Sequence, residues 1–383
     1  MTSAESRGPS HYVGVMLRVF CAPSRYVQGR NATAELGTQM AAVGLTGPAY
    51  IVASDRASAM LGQVWATSLA AAAIEFEIGG FGGECSEREI ARGTDRARRS
   101  QARVIIGAGG GKALDTARAI AGNLGLPVVN CPTLASSDAP CSALSVVYDD
   151  SGVFERLIFY PRNPELVLVD TSVVARAPRR HLVAGMGDAL ATWFEARTVI
   201  QARRQNQVHG DTTLTGGALA HLCYQTLLAD GPAAASAVAA NAVTPALERV
   251  VEANTLLSGL GFESGGLAIA HSVHNGLTTA AATHGFMHGE KVAFGLLVQL
   301  IVEGQPTAEI DAVLAFSRSV GLPTTLAEIG LTADDADGLR IVADRTVAPG
   351  ETAHNEPFPV TPEAIYDGIL AADRYATEAM ARG

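Results

Sequence analysis

Val104-Ile-Ile-Gly-Ala-Gly-Gly-Gly-Lys-Ala-Leu-Asp-Thr-Ala117 decides how the first half of this chain folds. A β-branched run enters a cluster of glycines, and a helical pattern leaves it from Gly111 toward Asn123, as in the strand-turn-helix unit of an α/β sheet. Backbone N–H groups at such a helix start, together with the positive end of the helix dipole, can hold a phosphate. The run is not a triphosphate-binding loop: five positions before Gly111 stands Ile106, and Ala113 follows Lys112 where a magnesium-binding hydroxyl would be needed. Nor is it GxGxxG, because Lys112 occupies the last glycine position. Taken alone, it reads equally as a phosphate cradle and as a tight strand-to-helix turn.

Outward from that unit, Ala49–Ala53, Ala102–Ile106, Leu126–Asn130 and Leu166–Val169 are predicted strands. Ile51-Val-Ala-Ser-Asp55 ends the first with a carboxylate suited to accept hydrogen bonds from a ribose diol and to repel a 2′-phosphate, which favours NAD over NADP. Helix capping would explain the same aspartate. The loop Pro132-Thr-Leu-Ala-Ser-Ser-Asp-Ala-Pro-Cys-Ser-Ala-Leu-Ser145 follows another strand and offers Thr133, Ser136 and Ser142, while its prolines hold Asp138 on a stiff segment. From Pro178 onward the strand signals stop. Ala- and Leu-rich stretches take over, including Leu182–Gln205, Leu214–Leu228, Ala233–Leu257 and Val292–Glu303, so the chain is expected to divide into an α/β unit over 1–177 and a helical unit over 178–383.

The 383 residues, 48% of them hydrophobic, suffice for two cores. With 28 basic against 38 acidic residues the net charge is -10, which disfavours nucleic acid and anionic membranes as partners. No apolar run is long enough to span a bilayer, and Met1–Ser10 is too polar for a secretory leader, although Tyr12–Ala22 is fairly apolar. A cytoplasmic protein is expected. Its five cysteines form no CxxC pair and read as reduced and buried.

Three segments of the helical half carry metal-ligating types. Asp188 is expected near the start of a long apolar helix, where the dipole alone could account for it. His271 and His274 stand three apart on one helical face, and His288 precedes the apolar stretch from Val292. Two neutral imidazoles and a carboxylate leave an open coordination position, which suits catalytic Zn²⁺ and also Fe²⁺.

These stretches carry a resemblance. From about Arg18 to the C-terminus, GGGKALDTA, PTLASSDAPCSALSVVY, AGMGDALATWFEAR, ANTLLSGLGFESGGLAIAH, HGEKVAFG and HNEPFPVTPE occur in order, and the chain resembles the glycerol dehydrogenases of the iron-containing alcohol dehydrogenase superfamily. The resemblance implies the dehydroquinate synthase-like fold, with a Rossmann-like dinucleotide-binding α/β domain, an all-α domain, and one divalent metal, Zn²⁺ before Fe²⁺, in the cleft between them. It assigns the metal to Asp188, His271 and His288, and leaves His274 either supporting a ligand or lining the cleft. It places Asp55 on the adenosine ribose and Gly109, Gly110, Gly111, Lys112 and Ala113 around the pyrophosphate of NAD. Thr133, Leu134, Ala135, Ser136, Ser142, Leu144 and Tyr148 then line the cofactor site, and Asp138 contacts the polyol. A homo-oligomer, an octamer, is implied too. The N-terminal extension and Arg203–Thr215 have no counterpart in the resemblance.

The reaction so implied is NAD-linked oxidation of glycerol, or a related vicinal diol, to dihydroxyacetone. A metal lowers the alcohol's pKa, the nicotinamide accepts hydride, and Asp138 and His274 are the candidates for moving the proton. A carbocycle-forming lyase like dehydroquinate synthase, or a glycerol 1-phosphate dehydrogenase, would need several cations in the cleft, where only Lys291 and Arg197 stand near the metal motifs. A non-catalytic nucleotide-binding module has no use for a complete ligand set.

Overall fold

The computed structural model describes residues 17–382. The expectations for Met1–Ser10, and for the first part of the apolar stretch beginning at Tyr12, lie outside the described residues.

Eight strands are described: β1 (Tyr26–Gly29), β2 (Ala49–Ala53), β3 (Phe76–Gly80), β4 (Val104–Gly109), β5 (Val128–Pro132), β6 (Leu144–Tyr148), β7 (Phe154–Phe159) and β8 (Leu166–Asp170). Six form one parallel sheet in the order β1-β8-β5-β4-β2-β3, while β6 and β7 make a separate antiparallel hairpin. Every residue of β2, β4, β5 and β8 is buried. Helices cover both faces of such a sheet, which is why its strands read as unbroken apolar runs rather than alternating ones. The chain steps from β2 to β3 on one side, then returns to place β4 on the other side of β2. That reversal opens a crevice at the carboxyl ends of β2 and β4, where open α/β sheets bind their ligands.

β4 and β5 each start two residues later than predicted, because the preceding residues finish a helix. Gln101 adopts φ 55° and Ala102 N–H returns to the Ala97 carbonyl at 3.1 Å; Gly125 takes φ 65° and Leu126 N–H returns to Ala121 at 2.9 Å. From Thr171 to Arg382 every described element is a helix or a single helical turn. The predicted helix Ala233–Leu257 does not exist as one piece. A helix over Leu214–Ala239 runs through Pro232 and stops before Asn241 at φ 51°, and a new one begins at Pro245, where the Thr244 hydroxyl accepts from Leu247 N–H at 3.2 Å. Threonine at the cap and proline at the first position outweigh the alanine-rich propensity.

The 203–215 segment follows a left-handed Arg203 at the end of the helix Arg179–Ala202 and docks against the start of the described chain. Asp211 N–H donates to the Leu17 carbonyl at 2.9 Å, and Asn206 Nδ2 donates to Val19 and Ser264 carbonyls at 3.1 and 3.0 Å. No helix among the described residues is long and apolar enough to cross a membrane.

Two helices approach backbone to backbone at the level of the future site. A Cβ on Gly289 would stand 1.8 Å from the Ala184 carbonyl oxygen and 2.9 Å from Asp188 N, and one on Gly187 would stand 2.3 Å from the Gly289 oxygen. Neither backbone can yield easily. Gly289→Ala is therefore expected to cost ~1–3 kcal/mol of stability and to loosen metal binding with it, which thermal melts and metal titration of the variant would register.

Candidate active site

Asp188 lies in the tenth position of the helix Arg179–Ala202, fully buried. The expected position near a helix start is wrong: with about two and a half turns ahead of it, the dipole at the amino end is too distant to explain a buried carboxylate. His271 sits on the helix Ile269–Leu277, and His288 opens the helix His288–Val302. Their Nε2 atoms converge on one oxygen, Asp188 Oδ1, at 3.3 and 3.1 Å, and that oxygen is buried without a hydrogen-bond donor. Oδ2 is satisfied by Asp138 N–H at 3.0 Å. The ligand atoms of Asp188, His271 and His288 all lie within 4.8 Å of one another.

Each imidazole is oriented through its other nitrogen. His271 Nδ1 meets Glu195 Oε2 at 2.6 Å, and Glu195 Oε1 also accepts from the backbone N–H groups of Ala268 and His271 at 2.9 and 3.0 Å. With Nδ1 held by Glu195, the neutral ring would turn an Nε2 lone pair toward Asp188 for a cation between them to bind, whereas without a cation the two carboxylates favour the imidazolium. His288 Nδ1 lies 3.0 Å from His274 Nε2, and His274 Nδ1 lies 3.1 Å from Asn275 Oδ1. Asn275 Nδ2 in turn donates to Glu351 at 3.0 Å. Glu195, Asn275 and Glu351 went unassigned in the sequence. The available signal was Glu195 seven residues after Asp188, two helical turns along the same face.

The electrostatics follow from burial and from these contacts. Burial acts to raise the Asp188 carboxyl, but the His288 and His271 imidazoles outweigh it and hold it well below the usual carboxylate range. Burial would lower His271, yet Glu195 and Asp188 carry it well above the ordinary imidazole value. Burial and then the Asp188 charge push Asp138 up, while burial, His288 and Lys291 push His274 down.

Behind Glu195 lies Glu356, 1% exposed. Burial first, then the Glu303 and Glu195 carboxylates, push its carboxyl up to about 9; protonated it can donate to Glu303, whereas ionised it would leave both oxygens without a donor. A raised folded-state value means that its contribution to stability is complete below the unfolded value and is lost as pH rises through the folded one. Glu356→Gln is accordingly expected to raise Tm by an amount that grows between about pH 5 and pH 9, and a gain independent of pH in parallel melts would contradict this.

The loop carrying Asp138 is clamped from all sides by buried polar groups. Arg118 donates to the Ser142 carbonyl at 2.9 Å, Asn130 to Pro140 at 2.8 Å, Asn163 to Cys141 at 3.0 Å and Asn254 to Ala135 at 2.9 Å, and Ala143 N–H meets Glu263 at 2.6 Å. Asn254 projects from a π-helical turn, Ala253–Leu257. Asp138 is thereby presented to a cavity of about 880 Å³ whose walls also include Ser136, Ser142, Leu144, Tyr148, Gly111, Lys112, His271, His274 and His288. A second cavity, about 200 Å³, occupies the crevice beside β2 and β4 and is lined by Gly109, Gly110, Ala113, Thr133, Leu134 and Arg56 among others. His181 borders both. The predicted cofactor residues thus divide along one track, with two exceptions. Ala135 is buried away from either cavity and presents only its carbonyl, to Asn254. Asp55 is exposed and lines neither cavity, although Ser54 and Arg56 on either side of it line the second, and Ser54, not Asp55, caps the helix by accepting from Ala57 N–H at 3.2 Å.

The glycine positions fit a ligand passing along that track. A Cβ on Gly109 would fall 2.6 Å from Ala113 Cβ, and one on Gly111 would fall 3.0 Å from Ser137 Oγ, so the strand-to-helix turn keeps this close packing only with glycine at both positions.

The model of the iron-containing alcohol dehydrogenases matches residues 23–171. A glycerol dehydrogenase of Pseudomonas putida is 49% identical over 362 residues, covering 94% of this chain and 98% of its own. A glycolaldehyde reductase of Halobacterium salinarum is 49% identical over 358 residues, with the same 94% and 98% coverage. The crystal structure of a probable glycerol dehydrogenase from Sinorhizobium meliloti 1021 superposes with a TM-score of 0.90 at 41% identity, over 94% of this chain and 100% of that one. A parallel sheet with its crevice at the β2/β4 reversal, helices behind it, and likeness along nearly the whole length agree: the chain belongs to the iron-containing alcohol dehydrogenase family.

Proposed function

We propose that the chain is an NAD-linked, metal-dependent glycerol dehydrogenase that oxidises glycerol or a related vicinal diol to the ketone. The observation that carries this reading is the convergence of Asp188, His271 and His288 at the end of the cavity that begins at the glycine loop. Bound by those three residues, a zinc ion would act as a Lewis acid that lowers the pKa of the alcohol being oxidised. Gly109, Gly110, Gly111 and Lys112 hold the dinucleotide's phosphates, and Asp55, between the cavity-lining Ser54 and Arg56, holds the adenosine ribose. Asp138 faces the cavity beside Asp188 and hydrogen-bonds the polyol. His274 spends both ring nitrogens on His288 and Asn275, so it acts first by fixing the tautomer of His288. The departing proton has Asp138, His274 and cleft water within reach.

Phosphorylated substrates are disfavoured because the other cations near the site are committed, Lys112 to Glu84, Arg345 to Glu351 and Arg197 to Glu309, which leaves the single ammonium of Lys291 where a bound phosphate ester would need several cations. We place the boundary between the two units at Ala177-Pro178, and five unpaired thiols support a reducing, cytoplasmic setting. Exposed Ile200, Leu214, Leu222 and Leu228 support assembly into a homo-oligomer, an octamer in this proposal, which light scattering would size.

The test is NADH formation by purified protein with a panel of diols, glycerol and ethylene glycol, before and after chelation and after restoring Zn²⁺ or Fe²⁺. Glycerol turnover that disappears with chelator and returns with metal is the expected result. Metal-loaded protein inert toward every alcohol would overturn the reading.

A further inference from the structure

Lys291 follows His288 by one helical turn, is 7% exposed and lines the large cavity. Among the described residues its ammonium has no hydrogen bond and no ion pair, whereas Lys112 and Arg345, which line the same cavity, are each paired with a carboxylate. A buried ammonium with no partner is costly, so its place on the wall of a binding cavity points to an anion that arrives with a ligand.

Its surroundings say where that anion sits. Lys291 lines one cavity with His274 and His288, with Glu84, and with Gly111 and Lys112 at the start of the helix after the glycine loop, and its charge acts on His274 while it feels Lys112, Glu290 and Glu84. It therefore stands between the imidazoles and the helix start. A dinucleotide reaching from the β2/β4 crevice to the metal ligands must lay the phosphate next to its nicotinamide ribose across this stretch. The polyol is neutral, and the carboxylate of Glu84 already holds Lys112.

We propose that Lys291 binds the nicotinamide-side phosphate of the dinucleotide, on the opposite side from the N–H groups of Gly111 and Lys112. The inference rests on the dinucleotide reading above. Its logic is a charge-assisted hydrogen bond formed only when the cofactor is bound, so the residue trades stability of the free protein for affinity.

The test compares full-length wild type with Lys291→Met and Lys291→Arg by calorimetric titration with NADH, ADP-ribose and AMP, alongside thermal melts. Lys291→Met should weaken NADH and ADP-ribose by about tenfold or more, leave AMP unchanged because AMP lacks the second phosphate, and melt no lower than wild type. Lys291→Arg should recover most of the loss. Unchanged NADH affinity in Lys291→Met, an equal loss for AMP, or a lower Tm with loss of all three ligands would overturn the assignment while leaving the dinucleotide reading standing. Wild type that binds neither NADH nor ADP-ribose would overturn that reading, and this inference with it.

Discussion

Asp188→Asn is expected to lower polyol-oxidising kcat/KM by about a thousandfold or more, because the Lewis-acid contribution it anchors is worth several kcal/mol, and metal content should fall in parallel. The substitution is close to isosteric. The oxygen of the introduced carboxamide can still accept from Asp138 N–H, so the loop carrying Asp138 keeps its position. What disappears is the negative charge beneath two converging imidazoles. The outcome is read by metal analysis after dialysis together with steady-state kinetics, and full occupancy with full turnover would remove Asp188 from the ligand set.

Glu195→Gln is expected to weaken metal binding by about ten- to a hundredfold while leaving kcat recoverable at saturating metal. Glu195 accepts three N–H donors, two from backbone and one from His271 Nδ1. A glutamine has one acceptor oxygen for them. If its oxygen serves the backbone, its amide meets His271 Nδ1–H, and the ring must move its proton to Nε2, where it blocks the metal. If its oxygen serves His271, the two backbone donors at the start of that helix lose their partner. Either choice penalises the ligand-ready state, and a competition titration against a chelator that returns the wild-type Kd would contradict the argument.

Much of this was legible from the chain alone. Strand β2 appears in the sequence with its true ends, and the glycine loop sits between β4 and its helix as the Val104–Ala117 run requires, because an apolar β-branched run and a glycine turn are local signals. Asp188, His271, His288 and Asp138 could be named because their chemistry is visible in residue type and in long matching motifs. The element boundaries that were misplaced, at Ala102, Leu126 and Ala240–Thr244, are those where a residue that favours one element is used to end another.

The tertiary structure decided what no local pattern carries. Asp188 looked like a dipole-stabilised acid near a helix start; packing shows it about two and a half turns in, with one oxygen orphaned between two imidazoles from different helices. Glu195, Arg118, Asn254 and Glu263 are ordinary polar residues in the sequence, and their importance exists only because the fold buries them against the His271 ring or against the backbone N–H and C=O groups of a loop. Sequence by itself determined which groups are available and which backbone conformations are cheap, since both depend on neighbours along the chain. Which groups meet, and which buried polar atoms are left without a partner, depends on contacts between segments as far apart as Asp138 and Ser258, and burial sets the strength of each such contact through the water it excludes.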